Sequence, residues 1–151
     1  MNFKLTRQKI GDDLKNSLEH HLPLHNFSDV IKYSVFPTGK LFRPLLVHCL
    51  ASDLGEITPS HEYLAMAIEL HHTYTLIHDD LPAMDDDDFR RGRASSHKKF
   101  SEWQAILAGD ALLNLSYEYL TKIENPIHLG NVLKLFTKAC GPKGLVLGQI
   151  K

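Results

Sequence analysis

The sequence predicts an all-α protein, an antiparallel bundle of helices. Three observations carry that prediction. Apolar residues recur at three- and four-residue spacing along nearly the whole chain. No run alternates apolar and polar residues long enough to make a useful strand. Proline, glycine and small polar residues punctuate the helical runs where helices start and stop. At 151 residues, 43% of them apolar, the chain is one domain by length and can build a core.

The elements follow in order. Phe3, Ile10, Leu14 and Leu18 mark the inner face of a first helix, which Pro23 closes. A second, short helix starts near Asn26 or Ser28 and carries Val30, Ile31 and Val35. Pro37-Thr38-Gly39 breaks the chain. Phe42, Leu45, Leu46, Cys49 and Leu50 then define the inner face of a third helix, which ends at Gly55. Pro44 is tolerated there because it falls in the first turn. Thr58-Pro59 opens a long fourth helix through Leu64, Ala67, Ile68, His71 and Thr75. A loop runs to residue 100, and Ser101 opens a fifth helix. Trp103, Ile106, Leu107, Leu113, Tyr117 and Leu120 form its apolar stripe, on which Asp110 also falls and requires a partner. Asn125-Pro126 starts a sixth helix, with Leu129, Val132, Leu133 and Phe136 inside, and Gly141-Pro142 stops it. A seventh element begins at Lys143 or Gly144. Too few residues remain there for a stable isolated helix. Leu145, Val146, Leu147 and Ile150 still need a partner, so the bundle is expected to be incomplete at its C-terminus and part of a longer protein.

Composition excludes several classes. The net charge is −1 and the basic residues are not gathered into a tail, which gives no electrostatic case for nucleic acid. Cys49 and Cys140, the two cysteines, sit in apolar helix-like runs as small buried thiols, and no Cys/His spacing suits zinc. No stretch approaches the length of a membrane span. The N-terminal run is charged and amphipathic, unlike a signal region, so a reduced, cytoplasmic setting is expected.

Residues 79–88 carry the most chemistry. Six of these ten residues are carboxylates, and Arg90, Arg91 and Arg93 follow at once. Carboxylates packed this closely repel one another unless a cation sits among them. Oxygen-only clusters suit hard divalent ions, Mg²⁺ above all. Arginines alongside suit a phosphate that bridges to the metal. His72, Thr75, Leu76 and Asp79 share one helix face. Asp79 and Asp85 do not, because six helical residues rotate by roughly 600°. Pro82 supplies the break that lets both reach one ion. Asp79 and Asp85 are therefore expected as direct ligands, with Asp80 a third ligand or a supporting residue. Asp86, Asp87 and Asp88 hold the loop or pair with Arg93. A second basic locus, Lys40 and Arg43, stands at the start of the third helix, where unpaired amides and the dipole favour an anion.

Together these loci resemble the trans-polyprenyl diphosphate synthases, and among them the bacterial farnesyl diphosphate synthases. That family's first acidic motif reads Asp-Asp-x-x-x-x-Asp and is followed by Arg-Arg-Gly. Residues 76–92, from Leu76 through Asp79, Asp80 and Asp85 to Arg90-Arg91-Gly92, match it closely. Thr38-Gly39-Lys40-Leu41-Phe42-Arg43-Pro44 is similar to the family's Gly-Gly-Lys-x-x-Arg-Pro motif. The block from Ala105 to Leu113 and the Gly148-Gln149 pair resemble later family motifs.

The resemblance implies an isoprenoid-synthase fold, with residues 1–151 as the N-terminal part of one synthase domain, and a homodimer. It implies that Asp79 and Asp85 bind Mg²⁺ bridging to an allylic diphosphate, dimethylallyl or geranyl, and that Arg90 holds that diphosphate. It gives Lys40, Arg43, His72 and Arg91 to the diphosphate of isopentenyl diphosphate and places Gln149 near the allylic site. His71 and His78 remain packing residues. Tyr74, five positions before Asp79, would floor the tunnel for the growing chain, which goes with a C15 farnesyl product. Thr38 stands for a family Gly, Leu41 for a common Arg and Ala94 for a usual Pro; none removes a ligand. The family's second acidic motif lies beyond this sequence, so residues 1–151 alone are expected to bind substrate without turnover. A non-catalytic partner subunit is the alternative. A terpene cyclase would lack the Lys40/Arg43 site, and a calcium loop would need a spacing and a central Gly that are missing.

Overall fold

The computed structural model describes residues 2–22 and 25–150. Helix α1 (Phe3–His21) starts at Asn2, whose side-chain oxygen accepts the Leu5 amide. Its last capping amide, Leu22, bonds to the Leu18 carbonyl; Pro23, expected to close it, lies outside the described residues. α2 (Phe27–Val35) and α3 (Phe42–Asp53) follow. α4 (Pro59–Asp79) begins as its sequence predicts, with Pro59 in the first turn and Thr58 and His61 capping reciprocally. α5 (Ser96–Lys99) is a single turn. α6 (Glu102–Thr121) is capped by Ser101, and α7 (Pro126–Cys140) by Asn125, which accepts the amides of Ile127 and His128. α8 (Leu145–Gly148) ends the described chain.

One element escapes the periodicity argument. β1 (Phe89–Arg90) and β2 (Arg93–Ala94) form a two-residue antiparallel hairpin inside the expected loop, Phe89 opposite Ala94 and Arg90 opposite Arg93. Its turn residues, Arg91 and Gly92, have φ of 53° and 75°, the left-handed pair that matches strand twist in a two-residue hairpin.

α4 and α6 form the central pair, with α3 on the flank of α4. Leu14, Leu18, Val30, Ile31 and Val35 close the core around Leu70, Ile77, Ala105, Ala108, Leu112 and Tyr119. The expected inner face of the fifth helix, now α6, is corrected here. The buried residues are Ala105, Ala108, Gly109, Leu112, Leu115, Ser116, Tyr119 and Leu120, whereas Trp103, Ile106 and Leu107 are exposed. Small residues let two helix backbones approach closely, and size-weighted periodicity misses such a face. Gly109 shows the closeness: a β-carbon there would collide with the His78 ring. α3 has the same correction. It buries Pro44, His48 and Ala51, and Phe42, Leu46 and Leu50 face outward, as does Phe3 on α1.

Asp110 is exposed and not inward; its neighbour is His78, 3.7 Å away. Cys49 and Cys140 are both half-buried and form no disulfide. No helix among the described residues is long and apolar enough to cross a membrane.

The corrected face of α6 makes a stability prediction. Leu112 is fully buried and Leu113 only half-buried. Leu112→Ala is expected to cost about 2–5 kcal/mol of unfolding free energy. Leu113→Ala should cost clearly less, with urea titration as the measurement.

Candidate functional site

The site starts where α4 stops. Asp79 is the last helical residue and Asp80 its cap. Leu81 donates its amide to His78, Met84 and Asp86 donate to Leu81, and Asp85 donates to the Asp79 carbonyl at 2.9 Å. The chain thus folds back on the end of α4 at Pro82 and brings Asp85 to Asp79. Burial and the Asp85 charge both push the Asp79 carboxyl upward, and Arg90 opposes them. Two close carboxylates with an all-oxygen donor set are what a hard divalent cation relieves. The donor chemistry therefore fits Mg²⁺ at Asp79 and Asp85.

Asp80 faces the other way. Its carboxylate is buried, 3% exposed, and Arg90 grips it through Nε, at 2.7 and 2.8 Å, and through Nη2. Arg90 also stands 3.7 Å from Asp87, and Asp88 pairs with Lys98 at 2.8 Å. The loop acids therefore meet Arg90 and Lys98 and not Arg93, the partner expected from sequence. Arg93 instead lies 3.8 Å over the Tyr33 ring and donates to the Phe36 carbonyl. Tyr33 in turn donates to the Ala94 carbonyl.

A basic groove of about 680 Å³ opens beside this hairpin. Lys40, Arg43, His72, Arg90 and Arg91, far apart in sequence, all line it. Gly39 makes the arrangement possible, since a β-carbon there would lie 2.7 Å from Arg91 Nη2. Leu41, which precedes α3, is buried and left-handed at φ 51°. Burial, with Arg43 and Arg91 nearby, pushes His72 down to about 4, so it is neutral at pH 7. Two lining residues, Arg7 and Glu69, escape sequence reasoning. Glu69 is buried and its carboxyl is pushed up by that burial. Its signal was its place three residues before His72 on one helix face.

A second, more apolar cavity of about 470 Å³ adjoins the basic groove along α4. His72, Thr75, Leu76 and Asp79 line it together, as their shared helix face requires. α7 and α8 close it with Phe136, Cys140, Leu145 and Gln149. Gln149 donates to Asp79 Oδ1 at 2.6 Å. Tyr74 is not in the wall. It packs edge-on against His71, centroids 4.9 Å apart, and His71 is the lining residue. His71 is buried with both ring nitrogens unpartnered, held among Tyr74, Tyr117 and Phe136.

Residues 25–151 match the polyprenyl synthetase family. The chain belongs to that family. A farnesyl diphosphate synthase from Micrococcus luteus is 41% identical over 93% of this chain and 48% of its own length. Geranylgeranyl pyrophosphate synthase 11, a chloroplastic protein of Arabidopsis thaliana, is 38% identical over 99% of this chain and 44% of its own. A solved FPP/GFPP synthase from Zymomonas mobilis superposes with a TM-score of 0.89 at 33% identity, over 98% of this chain and 56% of that one. The fold is therefore that of the isoprenoid synthases, as expected. The chain spans about half the length of the relatives it matches.

The Asp80–Arg90 pair is directly testable in this chain. Removing one partner of a buried ion pair leaves an uncompensated charge. Arg90→Ala is expected to destabilise the fold by about 3–5 kcal/mol. Adding Asp80→Asn should recover part of that loss in urea unfolding.

Proposed function

We propose that the complete protein, with residues 1–151 as its N-terminal part, is a Mg²⁺-dependent, homodimeric prenyltransferase. It condenses isopentenyl diphosphate with dimethylallyl or geranyl diphosphate and makes farnesyl diphosphate. One observation carries the reading: the basic groove and the acid-tipped cavity share Arg43, His72 and Leu76 as a common wall. Two anionic substrates, one in each space, would meet across that wall.

Each residue then has a task. Lys40, Arg43 and Arg91 hold the isopentenyl diphosphate, and Arg7 adds a further positive charge. His72, neutral at pH 7, donates a hydrogen bond there without adding charge. We assign Arg90 to the allylic diphosphate from the family resemblance; anchored on Asp80, it lines the basic groove next to the acid-tipped cavity. Of the two roles open to Asp80, that anchor favours support of Arg90 over direct ligation. Asp79 and Asp85 would hold Mg²⁺, and Gln149 orients Asp79. An ion held there would supply positive charge to offset that of the leaving diphosphate. The allylic carbon–oxygen bond ionises, the isopentenyl double bond attacks the cation, and the released diphosphate takes the proton. Arg90 stabilises the negative charge that grows on the departing oxygens. A non-catalytic subunit would not need Asp79, Asp85, Arg90 and Arg91 intact, which favours the catalytic reading.

The product assignment rests on Tyr74. It stands behind His71, so its ring limits the cavity through that imidazole. Relatives of both farnesyl and geranylgeranyl type make this the residue to test.

In the complete protein, Asp79→Asn with Asp85→Asn is expected to lower turnover on the order of 10²–10³-fold. A diphosphate-release assay measures it, and unchanged turnover would refute the acidic pair as the ionising site. Tyr74→Ala is expected to lengthen products beyond C15, read by chromatography of the dephosphorylated alcohols. An unchanged C15 product would remove Tyr74 from chain-length control.

A further inference from the structure

We propose that Asp86, Asp88 and His97 form a second cation site, built from residues other than the Asp79/Asp85 pair, that takes a divalent transition ion such as Mn²⁺ or Zn²⁺. One potential ligand atom from each of the three lies within 4.8 Å of the other two. Two acidic side chains on an exposed loop would not make a site by themselves. His97 is the feature that separates this cluster from a solvated loop. It is 7% exposed, and its Nε2 is buried with no hydrogen-bond partner. Leaving a buried imidazole nitrogen unpaired costs free energy unless something fills the position.

The ring is set up as metal-binding histidines usually are. Its Nδ1 is 3.1 Å from the Ser95 hydroxyl, itself buried. With the proton on Nδ1, the Nε2 lone pair is left free for a metal ion. The backbone holds the two ends of the site in place, since the Ser95 amide donates to the Asp88 carbonyl at 2.9 Å. Asp86 is held in the left-handed region, at φ 52°. A non-glycine residue kept there requires surroundings that over-determine it.

Ligand chemistry separates this site from the Asp79/Asp85 pair. Two carboxylates and one imidazole favour borderline ions over Mg²⁺, which prefers all-oxygen shells and keeps its waters. The competitor is Lys98, whose ammonium pairs with Asp88 at 2.8 Å. A bound ion would take Asp88 over from that ammonium. It would also clamp the residue next to Asp85 onto α5, which packs against α6. The site would thus act as a pin that positions the first acidic wall.

Mn²⁺ is the probe, used on the complete protein with excess Mg²⁺ to fill oxygen-only sites. Pulsed electron paramagnetic resonance reads nitrogen coupling from a directly bound imidazole. Coupling to one nitrogen ligand is expected, and it should vanish in His97→Gln. Asp86→Asn, on an exposed side chain that the fold does not need, should weaken Mn²⁺ binding at least about tenfold. Lys98→Ala should tighten it by freeing Asp88. No nitrogen coupling, coupling that survives His97→Gln, or an affinity indifferent to Asp86→Asn would overturn the proposal.

Discussion

At the end of α4 a buried carboxylate, Asp80, meets the guanidinium of Arg90 on the hairpin. Five other aspartates crowd the same loop, and an unpaired Asp80 in that place would be both desolvated and repelled. The contact fixes β1 against α4. Arg93 fixes the same hairpin to α2 through Tyr33 and Phe36. With both ends tied, the turn projects Arg91 over Gly39 and completes the basic groove. A hairpin of four paired residues thereby ties α2 to α4 and walls the basic groove.

The two cavities differ in what they can hold, and they share Arg43 and the α4 residues His72 and Leu76. On one side five cations and a neutral imidazole surround an open space suited to an anion. On the other, apolar side chains from α7 and α8 line a space tipped by Asp79. One helix face supplies His72, Leu76 and Asp79 in sequence, so the spacing of the two chemistries is set by helical rise.

Most of the site was readable because it depends on local rules. The Pro82 break, the Asp79–Asp85 approach and the shared face of His72, Thr75, Leu76 and Asp79 follow from helix geometry alone. Lys40, Arg43 and Arg91 came together through the resemblance, since no local rule joins residue 40 to residue 91. Glu69 and Arg7 were missed because a charged residue inside a helix reads as solvent-facing. The helix starts were also legible, as Thr58, Ser101 and Asn125 confirm by capping. The packed faces of α3 and α6 were not. There the bundle spends its small residues on contact and leaves large apolar ones outside, and periodicity weights size over fit. Tyr74 illustrates the same limit at the site: its distance in sequence from Asp79 was clear, but His71 standing in front of it was not.

The close passage of Arg91 over Gly39 makes neighbouring positions unequal. Thr38 carries a branched side chain at the groove's edge, whereas a methyl group at residue 39 would press on the Arg91 guanidinium. A side chain at 39 would push the Arg91 guanidinium, the flexible end of an exposed residue, out of its place in the groove. Residue 39, half a hundred residues away along the chain, thereby sets where the Arg91 charge can rest.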